Sequence, residues 1–226
     1  MALGVLCLIV VVAGAWYALH SRLFSARVVT VVGAVHTPVA QIERAAGLEN
    51  QPPLLDVGAG AVAGIERLPW IAHATVSREW PDGVRITVVE RTVAAAVPEV
   101  PATAGWALVD RSGRVLAVSP APPPGVVRLS GTAPPGPPGS TVRQSRAALD
   151  VARTLPKAFV AQVRSVGEDP RGDVTLQLTS SLTVYLGSTS DLRRKYEDVA
   201  AILSGAQLAS GEVIDVSAPS TPVVKP

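Results

Sequence analysis

The chain contains little of what most binding or catalytic sites are built from. Its 226 residues include one cysteine (Cys7), three histidines and 4% aromatic residues. A single cysteine cannot form an internal disulfide or a thiolate metal cluster. Cores must therefore be built from valine, alanine, leucine and isoleucine. The net charge is +2, and arginines do not interleave with aromatic residues as stacking platforms would, so we expect no nucleic-acid binding.

Motifs that carry catalysis are also missing from the sequence. His20, His36 and His73 have no ligand partner at metal-binding spacing, and neither G-x-S-x-G nor H-E-x-x-H occurs. The glycine-containing stretch at 58–60 lacks the lysine of a phosphate-binding loop. We therefore predict a protein that is not an enzyme, with no catalytic residue, no cofactor, no metal and no small-molecule substrate.

The N-terminal stretch, residues 2–19, carries no charge. Its 18 residues are at the lower end of what spans a bilayer, and Trp16 and Tyr17 lie where interfacial aromatic residues are favoured. A cleaved signal peptide is the alternative, but its apolar run is usually shorter. We predict a transmembrane anchor over residues 1–22. Arg22 and Arg27 favour a cytoplasmic body by the positive-inside rule, unless the sequence begins inside a longer protein with a basic tail.

Residues 27–92 show the pattern of one α+β module. A β-rich run at 27–32 ends at Gly33, and two helical segments follow at 37–47 and 59–68. A hairpin is then predicted from strands at 74–80 and 84–91, because the second alternates apolar and polar residues and a Pro-Asp-Gly turn separates them. The order predicts a three-stranded sheet with two helices on one face.

Residues 93–217 indicate a second module that is mostly antiparallel β-sheet with covering helices. Strands are predicted at 106–118 (a hairpin), 126–129, 159–166, 174–178, 182–186 and 212–217, and helices at 140–155 and 191–203. Residues 218–226 are predicted to be a Pro-rich tail without a strand.

Several motifs occur in an order that resembles the bacterial division protein family FtsQ/DivIB. After the apolar segment come Val29 and Gly33, Leu68-Pro69-Trp70, the set Val76, Arg78, Trp80, Pro81, Gly83, Glu90 and Arg91, then W-x-L-V-D-x-x-G-x-V at 106–115, V-x-L-G at 184–187, D-L-x-x-K at 191–195 and I-D-V-S at 214–217. The match covers nearly the whole chain. The Arg-, Pro- and Gly-rich composition favours an actinobacterial member.

The resemblance implies a POTRA domain at 27–92, a β domain at 93–217 and a non-enzymatic scaffold of the divisome, with its body outside the cytoplasmic membrane at the division septum. The implied partners are FtsB/DivIC-type and FtsL-type coiled-coil membrane proteins and, beyond them, FtsW/FtsI-type septal synthases. The implied docking site, by addition of a partner's strand, consists of Val213, Ile214, Asp215, Val216 and Ser217, with Tyr185 nearby.

The physical basis of this expectation is an open sheet edge. Nothing after residue 217 reads as a strand, so residues 212–217 are expected to expose unpaired backbone groups. The alternative is that they form an ordinary internal strand. Two other functions stay open: a POTRA-type chaperone of an envelope protein insertion machine, which normally has several module copies and a barrel, and an exported hydrolase, for which no nucleophile motif is present.

Overall fold

The computed structural model describes residues 2–19, 21–99, 105–131, 134–142, 145–205, 207–218 and 221–225. The chain divides into two units, Met1–Arg91 and Thr92–Pro226. Both mix helices with β-sheet, which confirms the α+β class. Each unit has its own apolar core.

The N-terminal helix α1 spans Ala2–Leu19. Its large apolar side chains are mostly exposed, for example Leu3 at 75% and Val11 at 66%. Across the described part of the chain, no helix combines the length and the apolar character needed to cross a bilayer. The transmembrane anchor expected at residues 1–22 is therefore not confirmed.

The rest of the first unit is a three-stranded sheet carrying two helices. Its elements are β1 (Val28–Val32), α2 (Val39–Ala45), a 3-10 turn (Leu54–Asp56), α3 (Ala59–Glu66), β2 (Ile71–Glu79) and β3 (Gly83–Glu90). The strand order is β1-β3-β2; β1 runs parallel to β3, and β2 runs antiparallel to it. The predicted module is confirmed.

The core of this unit follows from the period of two in β3. Val84, Ile86 and Val88 are buried and pack in one cluster with Ile42 of α2 and Ile65 of α3. Arg85, Thr87 and Val89, which alternate with them, face away from that cluster and are exposed. One face of the sheet is thus covered by both helices, as the sequence pattern predicts.

Gly33 ends β1 for a steric reason. Its φ is +91°, a region that glycine occupies without strain because it lacks a Cβ. A Cβ at this position would also collide with the carbonyl oxygen of Val88 on β3. Glycine at this position therefore allows the chain to leave β1 while its backbone stays close to β3.

The second unit is built on a nine-stranded sheet. Its strands are β4 (Ala95–Pro98), β5 (Trp106–Val109), β6 (Val115–Ser119), β7 (Val127–Ser130), β8 (Val163–Glu168), β9 (Val174–Leu178), β10 (Thr183–Gly187), β11 (Val213–Asp215) and β12 (Val223–Lys225). The spatial order is β12-β11-β10-β9-β8-β7-β4-β5-β6. The two edge strands are therefore β12 and β6.

Three helices complete this unit: α4 (Arg146–Thr154), α5 (Lys157–Val160) and α6 (Leu192–Gly205). Leu149 of α4 and Val199 of α6 join a core with Leu176 of β9 and Ile214 of β11. Neighbouring strands pair antiparallel except β4-β7, β7-β8 and β10-β11. The predicted, mostly antiparallel sheet with covering helices is present.

Two boundaries differ from the sequence prediction. The helix expected from residue 140 begins at Arg146, because the chain before it pairs with β6: the Val115 N–H donates to the Ser140 carbonyl at 2.9 Å. The strand expected from residue 159 begins at Val163, because residues 157–160 form α5. The first difference comes from a contact distant in sequence, and the second comes from a short local helix.

Candidate partner-binding site

The predicted docking residues lie on and after β11. This strand pairs in parallel with β10, with Thr183 opposite Val213, Val184 opposite Ile214 and Tyr185 opposite Asp215. Backbone hydrogen bonds from Thr183 N to Glu212 O (3.1 Å) and from Val216 N to Tyr185 O (3.0 Å) extend the pairing at both ends. The structure thus brings Tyr185 and residues 213–217 together, as expected.

The other side of β11 is covered by the chain itself. Strand β12 pairs antiparallel with it, with Lys225 opposite Val213, Val224 opposite Ile214 and Val223 opposite Asp215. The expectation that residues 212–217 form an open edge is therefore wrong, and so is the expectation of a strandless tail at 218–226. Residues 213–215 form an internal strand, and the edge of the sheet lies one strand farther out.

Burial agrees with this internal position. Ile214 and Val216 are fully buried in the core of the second unit, and Val213 and Asp215 are half-buried. Only Ser217 of the predicted set is exposed. Side chains at Ile214 and Val216 therefore stabilise the sheet and are not accessible to a partner.

The hydrogen-bond pattern between β10 and β11 determines in which direction the backbone groups of β12 point. Hydrogen bonds at Glu212 O and Val216 N show that the even-numbered residues of this segment face β10, so Val213 and Asp215 direct their N–H and C=O groups at β12. The residues opposite them, Lys225 and Val223, face inward. Val224 consequently directs its N–H and C=O away from β11, at the outer side of the sheet.

The edge strand has features that limit unspecific pairing. It is three residues long, its outward position before Val224 is Pro222, which has no N–H, and it carries the charged Lys225. Short strands, proline and lysine are common on natural sheet edges because they discourage aggregation. Val223 and Val224 are still 46% and 39% exposed and offer an apolar contact.

An ion pair ties β12 to β11. Lys225 Nζ lies 2.9 Å from Asp215 Oδ2, and Asp215 Oδ1 accepts hydrogen bonds from the N–H and the hydroxyl of Ser217 at 3.1 and 2.7 Å. Burial alone would raise the pKa of Asp215, but the hydrogen bonds from Lys225 and Ser217 lower it below its usual value. The carboxylate is therefore charged in the folded state and restrains both the turn after β11 and the edge strand.

Tyr185 lies one strand further in, on β10. Its hydroxyl donates to Asp173 Oδ2 at 2.8 Å, and this hydrogen bond, with burial and nearby carboxylates, raises the pKa of the phenol. Asp173 ends the turn before β9, where Asp169 accepts hydrogen bonds from the Arg171 and Asp173 N–H groups. Tyr185 is thus held in place by an intramolecular bond and stays neutral at physiological pH.

A buried lysine on α6 contacts the C-terminal end of β10, the strand that carries Tyr185. Lys195 of α6 is fully buried, and its Nζ donates to the carbonyl oxygens of Leu186 at 2.9 Å and Ser188 at 2.8 Å. Burial lowers the pKa of this amine, and the negative charges of Asp191 and Asp173 partly oppose that effect. The lysine of the D-L-x-x-K motif therefore fastens α6 to the end of β10.

Nothing in this arrangement points to chemistry on a substrate. The described residues contain no group of three or more histidine, cysteine, aspartate or glutamate side chains placed to hold a metal ion. The charged groups at the site satisfy one another or backbone groups. What the site offers is backbone pairing at an edge strand, with two exposed valines beside it.

Sequence reasoning missed β12, although a weak signal was present. Val223 and Val224 are β-branched, and Pro222 directly precedes them, which is an accepted place for proline at the start of an edge strand. Two valines are too few to show a period, so only the pairing with β11 reveals the strand.

Family models match both units of the chain. Residues 24–91 match the model described as POTRA domain, FtsQ-type, and residues 100–217 match the model described as Cell division protein FtsQ/DivIB, C-terminal. The two matches have the same order as the two folded units, and they confirm the resemblance drawn from the motifs.

Curated relatives agree with the family models. The chain is similar to Cell division protein FtsQ of Mycolicibacterium smegmatis (34% identity over 204 residues, 90% of this chain and 58% of the relative). It is similar to the proteins of the same name from Mycobacterium leprae (33% over 202 residues, 89% and 56%) and Streptomyces collinus (32% over 226 residues, 95% and 84%). The chain thus spans less than two thirds of the mycobacterial relatives' length. From these matches and its two folded units, the chain belongs to the FtsQ/DivIB family of bacterial cell-division proteins.

Proposed function

We propose that this chain is a non-enzymatic scaffold of the divisome that binds partner proteins by adding a strand to the β12 edge of its larger sheet. The observation that carries the proposal is the position of β12: it ends the nine-stranded sheet, and its Val224 backbone groups face outward. The partners are FtsB/DivIC-type and FtsL-type coiled-coil membrane proteins, through which the scaffold is linked to FtsW/FtsI-type septal synthases.

The residues expected at the site from the sequence have a supporting role in this proposal. Asp215 holds the edge strand through Lys225, while Val213 and Ile214 lie on β11, the strand with which β12 pairs. Tyr185 lies one strand further from the partner. The docking surface itself is therefore Val223, Val224 and Lys225, and the predicted residues 213–217 lie on the neighbouring strand β11 and directly after it.

The expected affinity of such an edge is modest. Each added backbone hydrogen bond contributes roughly 0.5–1.5 kcal/mol, and Pro222 removes one outward donor. Burying the exposed parts of Val223 and Val224 adds a hydrophobic contribution. Several further contacts along the partner are required for a stable complex, which fits a scaffold that assembles several membrane proteins together.

Attachment to the cytoplasmic membrane, with the body outside the cytoplasm at the division septum, is a separate part of the proposal. The uncharged sequence of α1 and the exposure of its apolar side chains support it, because such a surface favours an apolar environment. Digestion of the body in intact cells by a protease added outside would support this topology. Digestion only after the cytoplasm is opened would contradict it.

Proline and threonine substitutions at Val224 test the edge directly. Val224→Pro removes the outward N–H, whereas Val224→Thr retains this N–H and a β-branched side chain. We expect full-length Val224→Pro to lose co-purification with the cognate FtsB/DivIC-type protein and Val224→Thr to retain it. Equal co-purification of both variants with this partner would refute strand addition at β12.

Deleting residues 218–226 separates two ways of binding. If the partner adds to β12, the deletion abolishes binding. If the partner instead replaces β12 and pairs with residues 213–217, the deletion exposes β11 and strengthens binding. The fully buried Val216 is not a clean test position, because its N–H already pairs with Tyr185 and a proline there would disturb the fold.

A further inference from the structure

A second surface of the larger unit has the character of a ligand site. A cleft of about 820 Å³ opens beside β7, α5 and β8, a size typical of sites that bind ligands. Its lining includes the basic residues Arg128, Lys157 and Arg164 and a wall formed by three consecutive prolines, 122–124. No residue of this cleft belongs to β10, β11 or β12.

The charged side chains that are described as lining the cleft are all basic. Arg128 comes from β7, Lys157 from α5 and Arg164 from β8, and all are exposed. The residues that line the cleft include no aspartate or glutamate, and none of these three cations takes part in the ion pairs found among the described residues. Arg153 and Arg193 of the same unit, by contrast, pair with Asp150 and Glu197.

Two local features direct the arginines. The Arg128 guanidinium lies over the Trp106 ring at 5.7 Å from its centroid, which restrains the planar group and leaves its N–H edge available. Arg164 lies where the pairing of β8 with β9 shifts register, between Val163 and Ser165, and such bulges re-aim a side chain. The two arginines are therefore positioned by a ring contact and by a strand irregularity of the fold.

The three prolines limit the classes of ligand that the cleft can bind, because of the hydrogen-bonding groups they lack. Prolines have carbonyl acceptors but no N–H donors, and the Pro123 carbonyl already accepts the Val126 N–H at 3.2 Å. The remaining lining includes the apolar Val126, Val160 and Val163. A peptide can supply N–H donors to carbonyls, apolar atoms to the valines and carboxylates to the cations, whereas a polyphosphate supplies only acceptors.

We propose that this cleft binds an acidic peptide segment of a partner protein. Arginine holds carboxylates through paired N–H donors, and lysine contributes a point charge. The interaction is ionic and partly exposed, so it weakens as salt is added. It is separate from the strand addition proposed for β12 and does not depend on it.

A labelled oligoglutamate peptide serves as the probe, with fluorescence anisotropy on the full-length chain in detergent. The double variant Lys157→Glu/Arg164→Glu reverses two charges of the cleft and leaves the Arg128–Trp106 contact intact. We expect it to bind the peptide about tenfold more weakly or worse, since two surface ion pairs become repulsions. Added salt should weaken binding of the unmodified chain in the same direction.

The matched control is Arg146→Glu/Arg171→Glu, which makes the same change in net charge at exposed positions of the same unit outside the cleft. We expect it to bind within about twofold of the unmodified chain, because neither residue lines the cleft and exposed charges are screened by salt. Thermal melting checks that both variants fold. If the cleft variant unfolds, Lys157→Ala/Arg164→Ala replaces it, with a smaller loss expected.

Several results would overturn the proposal: no binding of oligoglutamate to the unmodified chain, equal weakening in both double variants, or competition by a polyphosphate of equal charge as strong as that by unlabelled peptide. The Val224→Pro chain should bind oligoglutamate normally. Failure of the β12 proposal and failure of this one are therefore distinguishable.

Discussion

The Glu90 carboxylate holds His36 by its backbone and its ring together. Its oxygens accept the His36 N–H at 2.9 and 3.0 Å, and Oε2 lies 2.8 Å from His36 Nδ1. Oε1 also accepts the N–H groups of Val35 and Thr37 at 3.1 and 2.9 Å. The His36 ring stacks on Trp70, with centroids 4.1 Å apart. The last residue of β3 thereby fastens the loop that leads from β1 into α2.

Removing the Glu90 charge should destabilise the first unit. In Glu90→Gln, one oxygen is replaced by an NH₂ group that faces N–H donors, and we expect a loss of about 1–3 kcal/mol in the free energy of unfolding. Amide hydrogen exchange of Val35, His36 and Thr37 measures the local effect. Glu49→Gln, which removes an exposed partner of Arg44, is the control and should change stability by less than about 1 kcal/mol. Equal exchange in both variants would contradict this role.

Because of this carboxylate, the free energy of unfolding of the first unit depends on pH in the acidic range. Burial alone would raise the pKa of Glu90, but the hydrogen bonds from His36, Thr37 and Val35 lower it from 4.5 to about 2. A depressed pKa means that this contribution is complete above pH 4.5 and is lost as the pH falls toward 2. Unfolding measured between these two pH values should show a steeper fall of stability in the unmodified chain than in Glu90→Gln.

Gly33 and Gly47 form a matched pair for testing the close approach of β1 to β3. Both have positive φ, +91° and +73°, so alanine is strained at either position by about 1–2 kcal/mol. A Cβ at Gly33 meets the Val88 carbonyl, whereas one at Gly47 meets nothing. We expect Gly33→Ala to unfold more easily than Gly47→Ala by about 1–3 kcal/mol, measured by urea denaturation. Equal losses would show that the contact with Val88 is relieved at no cost.

Lys195→Met should remove both a stabilising contact and a pH dependence of the second unit. The buried carbonyl of Leu186 and the partly buried carbonyl of Ser188 lose their donor, which costs about 1–3 kcal/mol. Because burial lowers the pKa of Lys195, the unfolded chain binds more protons in the alkaline range below the usual value of 10.5, and the stability of the unmodified chain rises with pH there. The melting temperature should rise less with pH across this range in Lys195→Met than in the unmodified chain. An identical dependence of the melting temperature on pH in both chains would contradict a buried amine with a lowered pKa.

Asp215→Asn should loosen β12 without unfolding the second unit. The Lys225–Asp215 pair is partly exposed, so we expect a change of about 0.2–1 kcal/mol in global stability, together with faster exchange of the Val223 and Lys225 amides. The Asp215 pKa lies below its usual 3.8, so in the unmodified chain this restraint is complete above that pH and weakens below it. Unchanged exchange at neutral pH would mean that the backbone ladder alone holds β12.

The hairpin of the first unit shows which features local pattern can predict. Strands were expected at 74–80 and 84–91 and occur at Ile71–Glu79 and Gly83–Glu90, because alternating apolar residues and a turn sequence are local properties. Burial of Val84, Ile86 and Val88 follows from the same alternation. The role of Glu90 in holding the loop after β1 is not visible in the sequence, since its partners lie more than fifty residues away.

The candidate site shows the opposite case. The sequence predicts a strand at residues 212–217, but the exposure of that strand depends on whether anything pairs with its outer side. Three residues between prolines carry too weak a local preference to predict a strand, and β12 forms because β11 supplies hydrogen-bonding partners for its backbone. The edge of the sheet is therefore β12, one strand farther out than the edge predicted at residues 212–217.

By itself the sequence determined the family, the two α+β modules and their order, since these depend on the period of apolar residues and on turn and motif residues close together in the chain. Only the tertiary structure decided which strand lies at the edge, that Lys195 is buried against backbone carbonyls, and that three basic residues share one cleft. Those outcomes depend on pairings between distant segments, where hydrogen bonding and burial outweigh local preference.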